Sequence, residues 1–320
     1  MNWRAIQREN FTCIETLCSF LNLDPSQCEH LVRKPSFVLN LPRRLAHKIE
    51  KGRLDDPILR QFVPLLDEEK AVPNFVKNPV GDLEAKTTPR LLKKYKNRAL
   101  LITSSACAMH CRYCFRRHFP YEVASLENEI RAIREDSKLN EVILSGGDPL
   151  SLSDQKLEEI LDALNFPHIK RIRFHTRFPV GIPERIDNSF LQLLERIPQQ
   201  VWFVVHINHP NEIDPILFEH LGEISRLGIP VLNQSVLLKG VNDSEDVLQR
   251  LFEELADHAI LPYYLHQLDR VEGGAHFEVP HEEGLAIMQM LAKSLSGYSL
   301  PRYVQEVAGE AHKKLVAEIV

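Results

Sequence analysis

The sequence predicts an α/β fold, a partial (β/α)6 barrel of the TIM type, on two observations. From Arg98 onward, short apolar runs alternate with segments whose apolar residues recur every three or four positions. This alternation of strands and helices implies parallel strands joined by right-handed crossovers. Polar clusters also follow the apolar runs, as expected at the ligand-binding end of such a sheet. An open doubly wound sheet is the competing arrangement.

The predicted elements follow from this pattern. Six strands are predicted at 99–103, 141–144, 171–175, 201–206, 231–237 and 261–265. Four helix faces between them comprise Leu126, Ile130 and Ile133; Leu157, Ile160, Leu161 and Leu164; Ile216, Leu217, Leu221 and Ile224; and Leu248, Leu251, Phe252 and Leu255. Upstream, the prolines Pro57, Pro64, Pro73, Pro79 and Pro89 interrupt any long element. We therefore predict a mainly helical N-terminal region over 1–92 and a barrel core over 93–320.

Composition bounds the class of protein. With 44% hydrophobic and 26% charged residues, the 320-residue chain is typical of a globular enzyme. A net charge of −5 and a pI near 6.3 give no reason to expect a nucleic-acid partner. Residues 1–11 contain no apolar core of a signal peptide, and no apolar stretch is long enough to span a bilayer. We expect a cytoplasmic protein without membrane association.

Three cysteines directly after the first predicted strand indicate a metal cluster. Cys107, Cys111 and Cys114 have C-x3-C-x2-C spacing and supply three thiolates, whereas a 4Fe-4S cube has four corners. One iron would then be free to bind another ligand. A zinc or redox site lacking its fourth ligand is the alternative, but no second cysteine cluster follows downstream.

The other three cysteines precede the barrel. Cys13, Cys18 and Cys28 are interpreted as small apolar residues of N-terminal helices rather than as a second metal site. Six cysteines in so long a chain do not resemble a disulfide framework. A reducing compartment suits an oxygen-sensitive cluster.

Polar clusters accompany all six predicted strands. Besides the cysteine motif, they are the segments 145–150, 175–177, 208–210 and 266–269 after strands, and 233–235 within the fifth strand. Because the carboxyl ends of parallel strands meet at one edge, we predict a single shared site there.

The cysteine motif, its strand and the Gly-Gly-Asp turn together resemble the radical S-adenosylmethionine (radical SAM) superfamily. The resemblance implies that Cys107, Cys111 and Cys114 ligate the 4Fe-4S cluster, whose free iron chelates S-adenosylmethionine. Electron donation would then yield a 5′-deoxyadenosyl radical. Gly146, Gly147 and Asp148 match the place where the family binds the methionine amino group. We expect the paired glycines to let backbone carbonyls approach that ligand closely.

A narrower resemblance covers residues 90–315. The segments Cys-Arg-Tyr-Cys-Phe-Arg-Arg at 111–117, 145–150, 233–238, Pro-Tyr-Tyr at 262–264 and His-Phe at 276–277 are similar to lysine 2,3-aminomutase. This resemblance implies pyridoxal phosphate (PLP) as a cofactor. Lys313 matches the lysine that forms the Schiff base, and Lys314 is the neighbouring alternative. The glycine tract that precedes this lysine in the family is reduced here to Gly309. Without the resemblance, Lys313 would be interpreted as an exposed residue of a terminal helix.

The same resemblance implies the remaining site residues. For the PLP phosphate they are Lys94, Tyr95, Arg98 and Gln234; for the substrate carboxylate, Arg116; and for the distal ammonium of L-lysine, Asp269 and Glu306. Without the resemblance, residues 93–98 would be interpreted as a solvated basic linker. Arg117 is interpreted as a surface or phosphate residue.

The resemblance implies an isomerase that converts L-α-lysine to (R)-β-lysine and needs a reducing electron donor. The short C-terminal part and the reduced glycine tract resemble the branch of the family that serves elongation factor P, on which a separate lysyl ligase acts. A catabolic lysine or glutamate 2,3-aminomutase is the alternative, and a non-catalytic iron–sulfur sensor or scaffold is the alternative from another class.

Overall fold

The computed structural model describes residues 2–122 and 125–319. Within these ranges, ten strands form one sheet. They are β1 (Lys86–Thr88), β2 (Leu91–Leu92), β3 (Arg98–Ser104), β4 (Glu141–Gly146), β5 (Arg171–Thr176), β6 (Gln200–His206), β7 (Val231–Val236), β8 (Leu261–His266), β9 (Arg302–Gln305) and β10 (Lys314–Leu315).

The strand order identifies the architecture. Strands follow one another across the sheet in chain order from β1 to β10. Neighbours from β3 to β9 are parallel, while β1, β2 and β10 pair antiparallel at the two ends. A doubly wound sheet would reverse its order at a switch point, so that alternative is excluded. The predicted partial barrel is therefore confirmed.

The α-helices of the described ranges surround this sheet. They are α1 (Trp3–Arg8), α2 (Ile14–Leu21), α3 (Pro25–Cys28), α4 (Arg43–Lys48), α5 (Pro57–Phe62), α6 (Glu127–Glu135), α7 (Asp154–Ala163), α8 (Phe178–Gly181), α9 (Asn188–Glu195), α10 (Pro215–Arg226), α11 (Glu245–Asp257) and α12 (His281–Ser294). None of them is long and apolar enough to cross a membrane.

All six predicted strands are present, with ends that differ by one or two residues. The four predicted helix faces correspond to α6, α7, α10 and α11. Ile216 is the exception among their apolar residues, because it is 48% exposed while Leu217 and Leu221 face the core. The sequence did not predict β1, β2, β9 or β10, because two to four residues are too few to show a period.

The N-terminal helices pack into the same hydrophobic core as the barrel. Trp3 of α1 meets Phe178 of α8 edge to face, with ring centroids 5.4 Å apart. Leu45 of α4 and Phe62 of α5 are fully buried in that core. The N-terminal region therefore stabilises the barrel wall, and the domain boundary near residue 92 stays a prediction.

The barrel lumen is polar. On β5, Ile172 and Phe174 are buried, while the alternate residues Arg173 and His175 are only half-buried. On the next strands the register brings His206 beside Gln234, and Gln234 beside Tyr264. A closed TIM barrel fills its interior with branched apolar side chains. The polar side chains here leave the lumen suited to a ligand.

Two helical glycines provide a test of the packing. A Cβ on Gly284 of α12 would come within 2.2 Å of the Tyr303 hydroxyl. We expect Gly284→Ala to destabilise the fold by about 1–3 kcal/mol, because the buried Tyr303 has to move. A Cβ on Gly222 of α10 would have Arg226 Nη2 as its nearest atom, at 3.8 Å. Gly222→Ala should therefore stabilise the helix by about 0.5–1 kcal/mol. Urea unfolding of both variants measures this, and equal shifts would contradict the packing.

Candidate active site

The predicted cluster cysteines lie on the loop that follows β3. The loop is tightened by backbone hydrogen bonds from Cys114 N to Cys111 O (3.0 Å) and from Arg117 N to Cys114 O (3.1 Å). All three thiols are free and partly buried. Burial and the neighbouring Cys111 raise the pKa of Cys114 to about 11.

This arrangement fits a cubane better than a single ion. Across residues 2–122 and 125–319, no three His, Cys, Asp or Glu side chains converge closely enough to hold one metal ion. Three thiolates that ligate irons at different corners of a cube must stand further apart than the ligands of one ion. The loop therefore fits a 4Fe-4S cluster held by Cys107, Cys111 and Cys114, and this assignment remains a proposal.

A buried arginine contacts one of these sulfurs. Arg177 Nη1 donates to Cys111 Sγ at 2.9 Å, and Nη2 donates to Glu212 Oε2 and Gln61 Oε1, both at 2.7 Å. The same guanidinium also donates to the Tyr113 hydroxyl. Because Gln61 belongs to α5, the N-terminal region helps to orient a group at the cluster loop. The sequence pointed to Arg177 only as part of a polar strand end.

Arg112 within the motif and Arg117 just after it share one carboxylate. Glu68 accepts from Arg112 Nε at 2.7 Å and Nη2 at 2.6 Å, and from Arg117 Nη2 at 2.8 Å. The Arg117 side chain is only 5% exposed. The interpretation of Arg117 as a surface residue was therefore wrong, since its side chain is buried against Glu68, and a role at a phosphate stays a prediction. Nothing in the sequence pairs Glu68 with a motif more than forty residues away.

The paired glycines after β4 have a different neighbour from the one expected. Gly146 has φ +116°, and a Cβ there would lie 2.7 Å from Ser104 O. A Cβ on Gly147 would lie 2.4 Å from Ala106 O. The glycines therefore let the end of β4 pack directly against the backbone that leads into the cysteine motif. Their contact with S-adenosylmethionine stays a prediction.

The Asp148 carboxylate accepts hydrogen bonds from other residues of the protein. It accepts from Thr176 Oγ1 at 2.7 Å, from Arg177 N at 2.8 Å, and from Leu150 N and Phe178 N at 3.0 Å. Burial raises its pKa to about 6 even though these donors lower it. Any contact between Asp148 and S-adenosylmethionine must then use its backbone, because both carboxylate oxygens are occupied.

Starting from Arg116 on the cluster loop itself, five charged residues form a chain of ion pairs in the lumen. Arg116 Nε donates to Asp82 Oδ2 at 2.6 Å, and Lys94 Nζ lies 2.7 Å from Asp82 Oδ1. Lys94 also contacts Glu306 Oε1 at 3.2 Å, and Lys313 pairs with Glu306 Oε2. The Asp82 side chain is 3% exposed and that of Glu306 10%. The structure thus brings four predicted site residues together around Asp82, which the sequence did not predict.

The neighbouring lysines 313 and 314 have different surroundings. Lys313 lies just before β10. Burial and then the charge of Lys313 lower the pKa of His266 to about 3. Lys314 pairs instead with Glu310 at 3.0 Å on the outside. Lys313 therefore faces the lumen rather than decorating a terminal helix.

The two acids predicted for the substrate ammonium differ in protonation. Burial alone would raise the pKa of Glu306, but Lys313 and Lys94 lower it to about 2. Burial raises the pKa of Asp269 to about 7, against the attraction of Lys313. Glu306 is therefore charged, and Asp269 titrates near neutrality.

The residues predicted for the PLP phosphate lie around the lumen. The Arg98 guanidinium stacks 4.7 Å from the centre of the Tyr95 ring, and burial followed by the charge of Glu306 raises the pKa of Tyr95. Gln234 lies on the lumen-facing side of β7. His175 Nε2 is buried without a hydrogen-bond partner in the described chain. A lumen-facing lysine, several cations and an unsatisfied imidazole fit a phosphorylated aldehyde such as PLP.

Comparisons with known proteins identify the class. The sequence model of the radical SAM superfamily matches residues 101–251. A crystal structure of a radical SAM methyltransferase from Sphaerobacter thermophilus has a TM-score of 0.50 and 20% identity, and covers 67% of this chain and 68% of that one. At this identity the likeness supports the fold alone. Fold, motif and sequence model together define a radical SAM protein, as predicted.

Relatives that align over nearly the whole chain identify the family. L-lysine 2,3-aminomutase of Haemophilus influenzae is 40% identical over 99% of this chain and 96% of its own length. The Escherichia coli protein of that name is 39% identical over 98% and 93%, and that of Clostridium subterminale 31% identical over 98% and 77%. The chain belongs to the L-lysine 2,3-aminomutase family. The predicted class of enzyme, a radical SAM isomerase, is thereby confirmed.

The contact between Arg177 and Cys111 generates a prediction. We expect Arg177→Gln to weaken cluster binding about 10- to 100-fold, because it removes the donor to Cys111 and leaves Glu212 buried without its partner. Iron and sulfide per chain after anaerobic reconstitution measure this. Arg196→Gln is the control, since Arg196 is exposed and pairs with the partly exposed Glu158. Full cluster content in Arg177→Gln would contradict the assignment.

Proposed function

We propose that the protein is a PLP-dependent radical SAM L-lysine 2,3-aminomutase that forms (R)-β-lysine. One observation carries this proposal: Glu306 pairs with Lys313, the charge of Lys313 acts on the nearby Asp269, and ion pairs link this group to Arg116 of the cysteine loop. The names of the relatives support the same substrate.

The chain supplies the positions for three cofactors. Cys107, Cys111 and Cys114 would hold the 4Fe-4S cluster, and the turn at Gly146 and Gly147 would border S-adenosylmethionine. Bound together, these groups supply an adenosyl radical fed by an external electron donor, while PLP delocalises the unpaired electron. The protein's part is to hold the reacting atoms close together and to exclude water.

Lys313 would attach PLP, with the phosphate held by the surrounding donors. Lys94 and Arg98 provide cations, Tyr95 a hydroxyl and Gln234 an amide, all near the lumen. Charge-assisted hydrogen bonds from such groups suit a phosphate dianion. A phosphate at Lys94 would compete with the carboxylates that pair with Lys94.

Opposite ends of the substrate would meet opposite charges. Arg116 would bind the carboxylate of L-lysine through its planar guanidinium. Asp269 and Glu306 would bind the distal ammonium, which needs acidic partners once it leaves water. A glutamate substrate would place a carboxylate against these two acids and be repelled. The acidic pair therefore favours lysine over glutamate.

The product is proposed to serve elongation factor P, to which a separate ligase would attach (R)-β-lysine. The glycine tract reduced to Gly309 supports this branch of the family. A catabolic aminomutase that releases free β-lysine is the second candidate. Resolving the β-lysine enantiomers separates the two, because the S enantiomer would contradict the link to elongation factor P. The reducing cytoplasm is the compartment that suits such a cluster.

Trapping with borohydride tests the PLP lysine. Reduction of the PLP-loaded protein should give a covalent adduct on Lys313, because Lys313 faces the lumen and Lys314 pairs outside with Glu310. Peptide mapping by mass spectrometry identifies the site. Lys313→Ala should abolish the adduct, and the matched variant Lys314→Ala should retain it. No adduct in the unchanged protein would favour a non-catalytic sensor.

The titration of Asp269 predicts the pH dependence of substrate use. With its pKa raised to about 7, Asp269 is neutral below that pH and charged above it. Because only the charged form attracts the ammonium, kcat/KM for L-lysine should rise about tenfold per pH unit up to 7 and then level off. Anaerobic assays with L-lysine, S-adenosylmethionine, PLP and a reductant measure this.

The control is Asp269→Asn. It should lower kcat/KM about 100-fold and remove the rise with pH, because Glu306 alone remains charged over this range. Turnover of glutamate but not lysine by the unchanged protein would refute the acidic pocket.

A further inference from the structure

Asp82 holds two proposed binding residues together, although no motif marks it. It lies in the loop before β1, and its side chain is 3% exposed. The loop is fixed by a hydrogen bond from Asp82 N to Asn78 Oδ1 at 3.0 Å and by one from Lys94 Nζ to Val80 O at 2.8 Å. The carboxylate is therefore presented to the lumen from a held backbone.

The geometry at Arg116 leaves one edge of its guanidinium for a ligand. Nε donates to Asp82 Oδ2 at 2.6 Å, while Nη1 reaches Ser145 Oγ only at 3.4 Å. An arginine binds a carboxylate through two parallel N–H groups, either from Nε and one Nη or from both Nη atoms. Because Asp82 occupies Nε, a substrate carboxylate would bind end-on to Nη1 and Nη2.

The charge of Asp82 also matters to Lys94. Two buried cations side by side without a counter-charge would be costly. Burial raises the pKa of Asp82, but Arg116 and Lys94 outweigh it and lower the pKa below its ordinary value. Asp82 therefore stays charged and balances both cations. The negative charge of Asp82 would repel a phosphate bound at Lys94. Asp82 therefore supports binding of the substrate rather than of the cofactor.

We propose that Asp82 is a positioning residue that holds Arg116 end-on for the substrate carboxylate and ties it to Lys94 of the phosphate site. The inference rests on the proposed function, since it takes Arg116 and Lys94 in the roles given above. Asp82 acts through these two residues and does not itself touch the substrate.

Two variants separate the acceptor oxygen of Asp82 from its negative charge. Asp82→Ala removes both, whereas Asp82→Asn keeps an oxygen that can accept from Arg116 Nε. The Kd for L-lysine is read from the absorbance of bound PLP in the PLP-loaded protein without S-adenosylmethionine, so turnover is not needed. We expect Asp82→Ala to raise this Kd about tenfold and Asp82→Asn to restore most of the loss.

A separate titration of the apoprotein measures the Kd for PLP. Both variants should bind PLP as tightly as the unchanged protein or more tightly, since a negative charge beside Lys94 is lost. Glu84→Gln is the matched control, because the exposed Glu84 on the same loop accepts a hydrogen bond from Asn78 Nδ2 at 2.6 Å. It should leave both constants unchanged. Cluster content and thermal melting report the folding of each variant.

A raised Kd for L-lysine in Asp82→Ala, with a Kd for PLP that is unchanged or lowered in both variants, supports the proposal. An unchanged Kd for L-lysine in Asp82→Ala would overturn it, as would a parallel loss of lysine and PLP affinity in Asp82→Asn, which would indicate a purely structural role. Failure of the unchanged protein to bind PLP or L-lysine would instead contradict the proposed function, so the two failures are distinguishable.

Discussion

The structure depends on the neutralisation of buried charge in the barrel lumen. Arg116 is buried and Lys94 and Lys313 are partly buried, and the carboxylates of Asp82 and Glu306 are shared among these three cations. Removing a charge from water is costly unless an opposite charge replaces the solvent. A ligand with phosphate, carboxylate and ammonium groups can take over these pairings, so the same constraint stabilises the ligand-free chain and defines what it binds.

The cysteine loop, which also supplies Arg116, obeys a similar rule. Glu68 joins two arginines of the motif, and Glu212 joins Arg177 to the α5 residue Gln61. The N-terminal helices thus reach the cluster loop through hydrogen bonds as well as through the core. A loop held in this way can present its thiolates with little reorganisation when a cluster is assembled.

The sequence predicted the elements with a clear period and the residues with a motif. Strands such as β5 and helices such as α11 have enough residues for an apolar face to be recognised. The cysteines and Lys313 could be named because a family motif or its position marks them. The end strands β2 and β10 have two residues each and show no pattern.

Other features depend on contacts between distant residues and could not be predicted. Asp82 meets Arg116 across 34 positions, and Arg177 meets Gln61 across 116. No spacing encodes such pairs. The glycines Gly146 and Gly147 were found for their type, but the direction of their missing side chains is visible only in the fold. Sequence thus identified the chemistry, and the structure identified what holds it in place.

The central claim is that the lumen binds a substrate through both of its charged ends. The most direct measurement compares L-lysine with L-norleucine, which has a carbon chain of similar length but no distal ammonium, in binding to the PLP-loaded protein. If Asp269 and Glu306 receive that ammonium, L-lysine should bind at least about 100-fold more tightly than L-norleucine. Equal affinities would contradict the account, because the acids would then have no part in recognition.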